Sequence, residues 1–284
     1  MVKNQFIGII DSGIGGFSVV RAMRCYLSGE NIVYIADPLY FPYGFKTPGE
    51  LLRIVHPFFS YFSQEDGIKA VITACGTVSS SCLPELRKHF QFPIIGIVEP
   101  GAEEAARMTR NGIVAVLATK ATVRSSLFKR CIVEHSPSVQ VIEEAWPEYI
   151  EAVERGEYRS TEHVIKVRRE LEKLINKGVD VLVMGCTHFS LISDYFEKLT
   201  DGRVKIVDPA VAAVKTLKMS LQKNNMILNG KGELHVLVRG DSSSFQRALA
   251  SFPGLGYHRV GCFQEKEFAD ITSSKIYKSN KVLG

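Results

Sequence analysis

Short apolar runs, each closing on a glycine, a hydroxyl or an acid, alternate along this chain with longer segments whose apolar positions recur at helical spacing. Phe6 to Ile10, Asn31 to Ala36, the run ending at Cys75, and Phe92 to Val98 read as strands. So do Ile113 to Leu117, Val139 to Ile142, Val181 to Met184, Val204 to Val207 and Leu234 to Val238. Between them Phe17 to Leu27, Thr47 to Ser63, Cys82 to Phe90, Gly101 to Met108, Glu148 to Gly156, Thr161 to Lys177 and Ala210 to Leu228 predict helices, with a last helix from Gly240 and Asp241. Phe268 to Gly284, rich in Lys and Ser, predicts a poorly packed tail. Strands alternating with helices predict an open α/β fold with parallel sheets.

Two stretches share one design. KAVITACGTVSSS, from Lys69, and VDVLVMGCTHFSL, from Val179, each run an apolar strand into a cysteine followed by small and hydroxylic residues that suit a helix N-terminus. Cys75 and Cys186 lie 111 positions apart, and Asp11 and Thr119, each ending an earlier strand, lie 108 apart. The near-equal offsets predict two halves of one βα design, each presenting a thiol where open α/β sheets hold ligands.

Asp11-Ser12-Gly13-Ile14-Gly15-Gly16 is a glycine-rich turn between strand and helix, but with neither dinucleotide-binding nor P-loop spacing. Its acidic start suits backbone N–H groups and the Ser12 hydroxyl offered to a carboxylate better than to a phosphate. PLYFPYG, from Pro38 to Gly44, has two prolines and reads as a loop over the strand ends.

Composition changes this picture little. The 284 residues are 45% hydrophobic and 23% charged, a mild net charge of +5 is spread along the chain, and no apolar run reaches membrane-spanning length. Neither nucleic acid nor membrane is an expected partner. The N-terminus passes from one lysine into a strand, unlike a signal peptide. Six cysteines without a CxxC or Cys/His cluster argue against a disulfide framework and structural zinc, and suggest reduced thiols in a cytoplasm. Cys82 reads as core, Trp146 as a packing anchor, and Cys25, Cys131 and Cys262 are given no role.

IGIIDSGIGG at 7–16, PYG at 42–44, ACGT at 74–77, VEPGAEEA at 98–105, ATVRS at 121–125, VERG at 153–156, MGCTH at 184–188 and VRGDSSSF at 238–245 together resemble the glutamate racemase family, within the cofactor-independent aspartate/glutamate racemases. The resemblance implies two similar open α/β, flavodoxin- or Rossmann-like domains with the active site in the cleft between them. The limits expected are 1–97 with a returning 208–284 for the first and 98–207 for the second. It implies interconversion of L- and D-glutamate without cofactor or metal, supplying D-glutamate for peptidoglycan, in a cytoplasmic homodimer.

Racemisation at an α-carbon needs a base on one face and an acid on the other, and a thiolate–thiol pair can exchange these roles. By the resemblance Cys75 acts on the D-enantiomer and Cys186 on the L-enantiomer. Asp11 and His188 assist them, and Glu154 matches a further acidic position. Ser12, Thr77, Thr122 and Thr187 are candidate substrate donors, with Pro42, Tyr43 and Gly44 at the pocket wall. Three positions depart from the family pattern. Gly76 stands where Cys-Asn-Thr is usual, and that asparagine amide holds substrate in the family. Pro38-Leu39-Tyr40 replaces Thr-Ala-Arg, and Phe189-Ser190 replaces Tyr-Pro. Gly76 keeps two alternatives open: a racemase for another acidic amino acid such as aspartate, or a silent racemase-like binding protein.

Overall fold

The computed structural model describes residues 5–252 and the backbone of 259–263. The expected tail at 268–284 and the Cys262 side chain lie outside the described residues. Ten strands are present among these: β1 (Phe6–Asp11), β2 (Asn31–Ala36), β3 (Ile68–Thr73), β4 (Ile94–Gly96), β5 (Ile113–Ala118), β6 (Gln140–Ala145), β7 (Val181–Met184), β8 (Lys205–Val207), β9 (Leu234–Arg239) and β10 (Arg259–Phe263). They form a six-stranded sheet, β10-β9-β2-β1-β3-β4, and a four-stranded sheet, β6-β5-β7-β8. Every pairing is parallel.

The expected duplication is visible in the order of strands. Reading β5–β8 as a second copy of β1–β4, both sheets run second-first-third-fourth, with β9 and β10 added beyond β2. In this order the chain leaves the first strand of each half towards one side and returns on the other. The crevice so opened at the strands' carboxyl ends lies between β1 and β3 in one sheet and between β5 and β7 in the other. Asp11, Cys75, Thr119 and Cys186 all stand at those four ends.

Burial explains the apolar runs. β1 and β7 are buried throughout and β3 and β5 nearly so, as parallel strands covered by helices on both faces must be. One apolar cluster reaches from Ile7 and Ile9 of the first sheet to Leu117 and Met184 of the second, so the two sheets share core across their junction. Among the described residues no helix is long and apolar enough to cross a membrane.

Four local outcomes differ from the sequence reading. Helix Pro209–Lys223 stops before Met226, Ile227 and Leu228, because the left-handed Asn225 (φ 54°) ends it. The buried Lys69–Glu30 pair then takes up the following backbone: Lys69 Nζ donates to the Met226 carbonyl at 2.7 Å, and the Leu228 N–H donates to Glu30 at 2.9 Å. Strand β4 is shorter than 92–98, since the Ile97 N–H donates to Ser79 Oγ (3.2 Å) and helix Val98–Met108 begins at once. Pro100 sits in that helix's first turn, where its missing N–H has no intrahelical partner to lose. Helix Lys120–Ser125 is not among the helices read above, and β10 has no counterpart in the reading because RVGCF has little alternation.

Candidate active site

The glycine-rich turn after β1 is shaped by the groups pressed against it. A Cβ at Gly13 would lie 2.6 Å from the Glu154 carboxylate, and one at Gly15 would lie 2.5 Å from Thr187 Oγ1 and 2.8 Å from His188 Nδ1. A side chain at Gly13 would displace the Glu154 carboxylate, and one at Gly15 would also meet the His188 backbone nitrogen, at 2.9 Å. The N–H groups of this turn go to the protein's own carboxylates: Gly16 donates to Asp11 Oδ2 at 2.9 Å, and Ile14 donates to Glu154 Oε2 at 3.2 Å. For Ile14 and Gly16 this corrects the expectation that the turn's N–H groups are offered to a ligand. Tyr34, buried beneath, donates its hydroxyl to the Gly13 carbonyl at 2.5 Å. Ser12 is buried in the same turn.

Cys186 ends the β7 segment and opens helix Thr187–Leu191. Its Sγ lies 3.7 Å from His188 Nδ1, and His188 Nε2 lies 2.5 Å from Glu154 Oε2. Thiol, imidazole and carboxylate thus form a chain in which the ring can face a sulfur anion on one side and a carboxylate on the other. Burial alone would lower the imidazole's pKa, but the hydrogen bonds to Cys186 and Glu154 outweigh it and hold His188 well above its ordinary value. Thr187 donates to Asp11 Oδ1 at 3.2 Å, tying this loop to β1.

Cys75 follows β3 at the opening of helix Gly76–Ser81 and is also buried. Burial, and to a lesser degree the nearby Asp11 charge, push its thiol up, with Cys186 contributing in the same sense. Asp11 is fully buried and is itself raised to about 6, chiefly by desolvation, with His188 opposing and Glu154 adding to the rise. The two thiols therefore sit in unlike surroundings: Cys186 against a base held protonated, Cys75 where the neutral thiol is favoured.

The loops bearing the thiols touch. A Cβ at Gly76 would lie 2.3 Å from the Gly185 carbonyl oxygen, so position 76 has no room for a side chain in this arrangement. Alongside, Thr77 Oγ1 lies 2.9 Å from Thr119 Oγ1, which donates to Thr122 Oγ1 at 2.9 Å and accepts from the Thr122 N–H at 3.1 Å. Gly44 abuts Thr119, with a built Cβ 2.8 Å from the threonine Cβ. Pro42 precedes Tyr43 and Gly44 in the short turn Tyr43–Phe45.

The model for the Asp/Glu/Hydantoin racemase family matches residues 7–217. This chain belongs to that family. Its members are racemases, and the chain is classed with the isomerases. A curated glutamate racemase from Gloeobacter violaceus is 36% identical over 89% of this chain and 93% of its own length. Among solved structures, the glutamate racemase isoform RacE1 from Bacillus anthracis superposes with a TM-score of 0.85 at 27% identity, covering 92% of this chain and 97% of that one. The Francisella tularensis glutamate racemase, solved in complex with D-glutamate, gives 0.82 at 25% identity, covering 93% and 99%.

Set on this family fold, the residues singled out from sequence gather in one place, with Thr187 hydrogen-bonded to Asp11 and His188 to Glu154. Three neighbours were not singled out. Thr119 caps helix Lys120–Ser125 and centres the hydroxyl chain; its 108-residue offset from Asp11 was the available signal. Asp37 and Arg239, each closing an apolar run, pair in the interior behind Tyr43. Tyr40, where the family resemblance expects arginine, has the Arg239 guanidinium 4.7 Å from its ring centroid. Trp146 packs with Tyr149, Phe189 and Phe196.

Proposed function

We propose that the protein racemises glutamate by a two-thiol mechanism, with Cys186 deprotonating the L-enantiomer and Cys75 the D-enantiomer. The observation that carries this reading is the pair of cysteines closing β3 and β7, the corresponding strands of two like-ordered sheets, on loops that meet at Gly76 and Gly185. The relatives named glutamate racemase favour glutamate as the substrate.

A substrate α-carbon held between the thiols loses its hydrogen, as a proton, to one thiolate. The other thiol then delivers a proton to the opposite face and becomes the thiolate. Charge is conserved, and the resting pair is left reversed. In the resting protein His188 is kept cationic beside Cys186 by its hydrogen bonds to Cys186 and Glu154, while burial favours the neutral thiol at Cys75. Asp11 serves the Cys75 side, and its pKa of about 6 lets it exchange a proton near neutrality. Thr77, Thr122, Thr187 and Ser12 supply donors to the substrate carboxylates, the turn at Pro42 to Gly44 forms the wall, and Gly76 offers its backbone N–H.

With this reading go the domain limits 1–97 with 208–284 and 98–207, independence of cofactor and metal, a homodimeric assembly, and a cytoplasmic role supplying D-glutamate for peptidoglycan. The test is circular dichroism of L-Glu, D-Glu, L-Asp and D-Asp incubated separately with the protein. Both glutamates should decay to zero signal. Turnover of aspartate with none of glutamate would move the substrate to aspartate, and turnover of neither, with binding intact, would favour a silent binding protein.

A further inference from the structure

The segment from Pro38 to Phe45 touches both sides of the candidate site. The Phe41 ring stands 5.5 Å from the His188 ring, Tyr43 shares an apolar cluster with Cys75, and Gly44 rests on Thr119. Its own regular structure amounts to two single turns, Pro38–Tyr40 and Tyr43–Phe45, so its position must be fixed by something else.

The fixing group is Asp37, fully buried just beyond the end of β2. Tyr43 donates its hydroxyl to Asp37 Oδ2 at 2.5 Å. Arg239 Nε donates to Asp37 Oδ1 at 2.8 Å, and a terminal nitrogen of the same guanidinium bonds Oδ2. That guanidinium also donates to the Ile54 carbonyl at 3.3 Å and lies 4.7 and 4.4 Å from the ring centroids of Tyr40 and Phe58. Beside it Gly240, at φ +116°, approaches Leu39 so closely that a Cβ would lie 3.1 Å from the Leu39 nitrogen. One short stretch, Arg239-Gly240, thus grips the loop at positions 37, 39 and 40 and, through Asp37, at 43.

Strand pairing does not require this grip. β2 and β9 are already joined by a parallel ladder from Ile32↔Leu234 to Ala36↔Val238, and the ion pair lies one residue past its end, on the loop side. A bidentate, two-ring contact there fixes direction as well as distance, which a lysine could not reproduce.

We propose that Arg239 is a positioning residue for racemisation: through Asp37 and Tyr43 it holds the 38–45 segment against the Cys75 and His188 sides of the site and so sets substrate fit. It touches no reacting atom. This inference rests on the glutamate racemase reading above.

The test compares wild type, Arg239→Met and Arg239→Lys in both directions, with rates normalised to folded protein by near-ultraviolet circular dichroism. Because the thiols, Asp11 and His188 stand on other strand ends, loosening the wall should act on binding. KM for L- and D-glutamate should rise tenfold or more in Arg239→Met with kcat changed less than threefold, and Arg239→Lys should fall between. Should the Met variant fail to fold, a threefold or larger rise in KM in Arg239→Lys is the expected result. Wild-type KM in the folded variants, whatever their melting temperature, assigns the ion pair to stability alone and overturns the inference. Absence of turnover in the wild type overturns the function and this inference together.

Discussion

Gly76 and Gly185 meet backbone to backbone, and a Cβ at Gly76 would lie 2.3 Å from the Gly185 carbonyl oxygen. The two residues adjoin Cys75 and Cys186, so this contact sets how closely the thiol-bearing loops approach.

Gly76→Ala should therefore force the loops apart. Overpacking of this kind costs about 1–3 kcal/mol, which for a chain of this size corresponds to roughly 2–4 °C in Tm for each kcal/mol. We expect kcat/KM to fall at least tenfold, measured by circular dichroism alongside thermal unfolding. Wild-type activity in Gly76→Ala would mean that the contact does not govern the site. Gly76→Asn, restoring the family's usual residue, should be the more damaging substitution here.

Asp11 gives a stability prediction with a definite sign. Its carboxyl is raised from 3.8 to about 6 by burial, so it holds its proton more tightly folded than unfolded. Its contribution is fully present below about 4 and is lost as pH rises through about 6, a difference on the order of 3 kcal/mol. Asp11→Asn, which cannot ionise, should melt several degrees above wild type at pH 8 and close to it at pH 4, while losing racemisation. A variant less stable than wild type at pH 8 would contradict the account.

The fold and much of the candidate site could be read from the chain because the central strands end abruptly on a candidate residue. Asp11, Cys75, Thr119 and Cys186 all follow buried runs, and their spacing carried the duplication. What could not be read was contact between distant segments. Gly13 looks like a turn glycine until Glu154, 141 residues away, is found against it. Asp37 and Arg239 each look like a solvated end of a strand, and only the pairing of β2 with β9 makes them one buried ion pair. The helix overrun at Met226 to Leu228 has the same cause, since its apolar spacing persists while Lys69 and Glu30 capture the backbone.

Glu154 should act through His188. Removing its charge in Glu154→Gln deprives the imidazole of one of the groups that raise its pKa. The alkaline limb of the kcat/KM profile should move to lower pH, with kcat/KM at its optimum reduced at least tenfold. The loss must be equal for both enantiomers, because their equilibrium constant is one. An unchanged alkaline limb would remove Glu154 from the mechanism.

The central claim is that two thiols work on opposite faces of one carbon, and hydrogen isotopes test it directly. L-glutamate bearing ordinary hydrogen is incubated with the protein in heavy water and stopped at low conversion, and each enantiomer is separated and weighed for α-deuterium. Two bases predict that the D-glutamate formed carries deuterium while the recovered L-glutamate does not, with the mirror result from D-glutamate. D-glutamate that keeps the original hydrogen, or deuterium appearing equally in both enantiomers from the start, would show a single base and contradict the account.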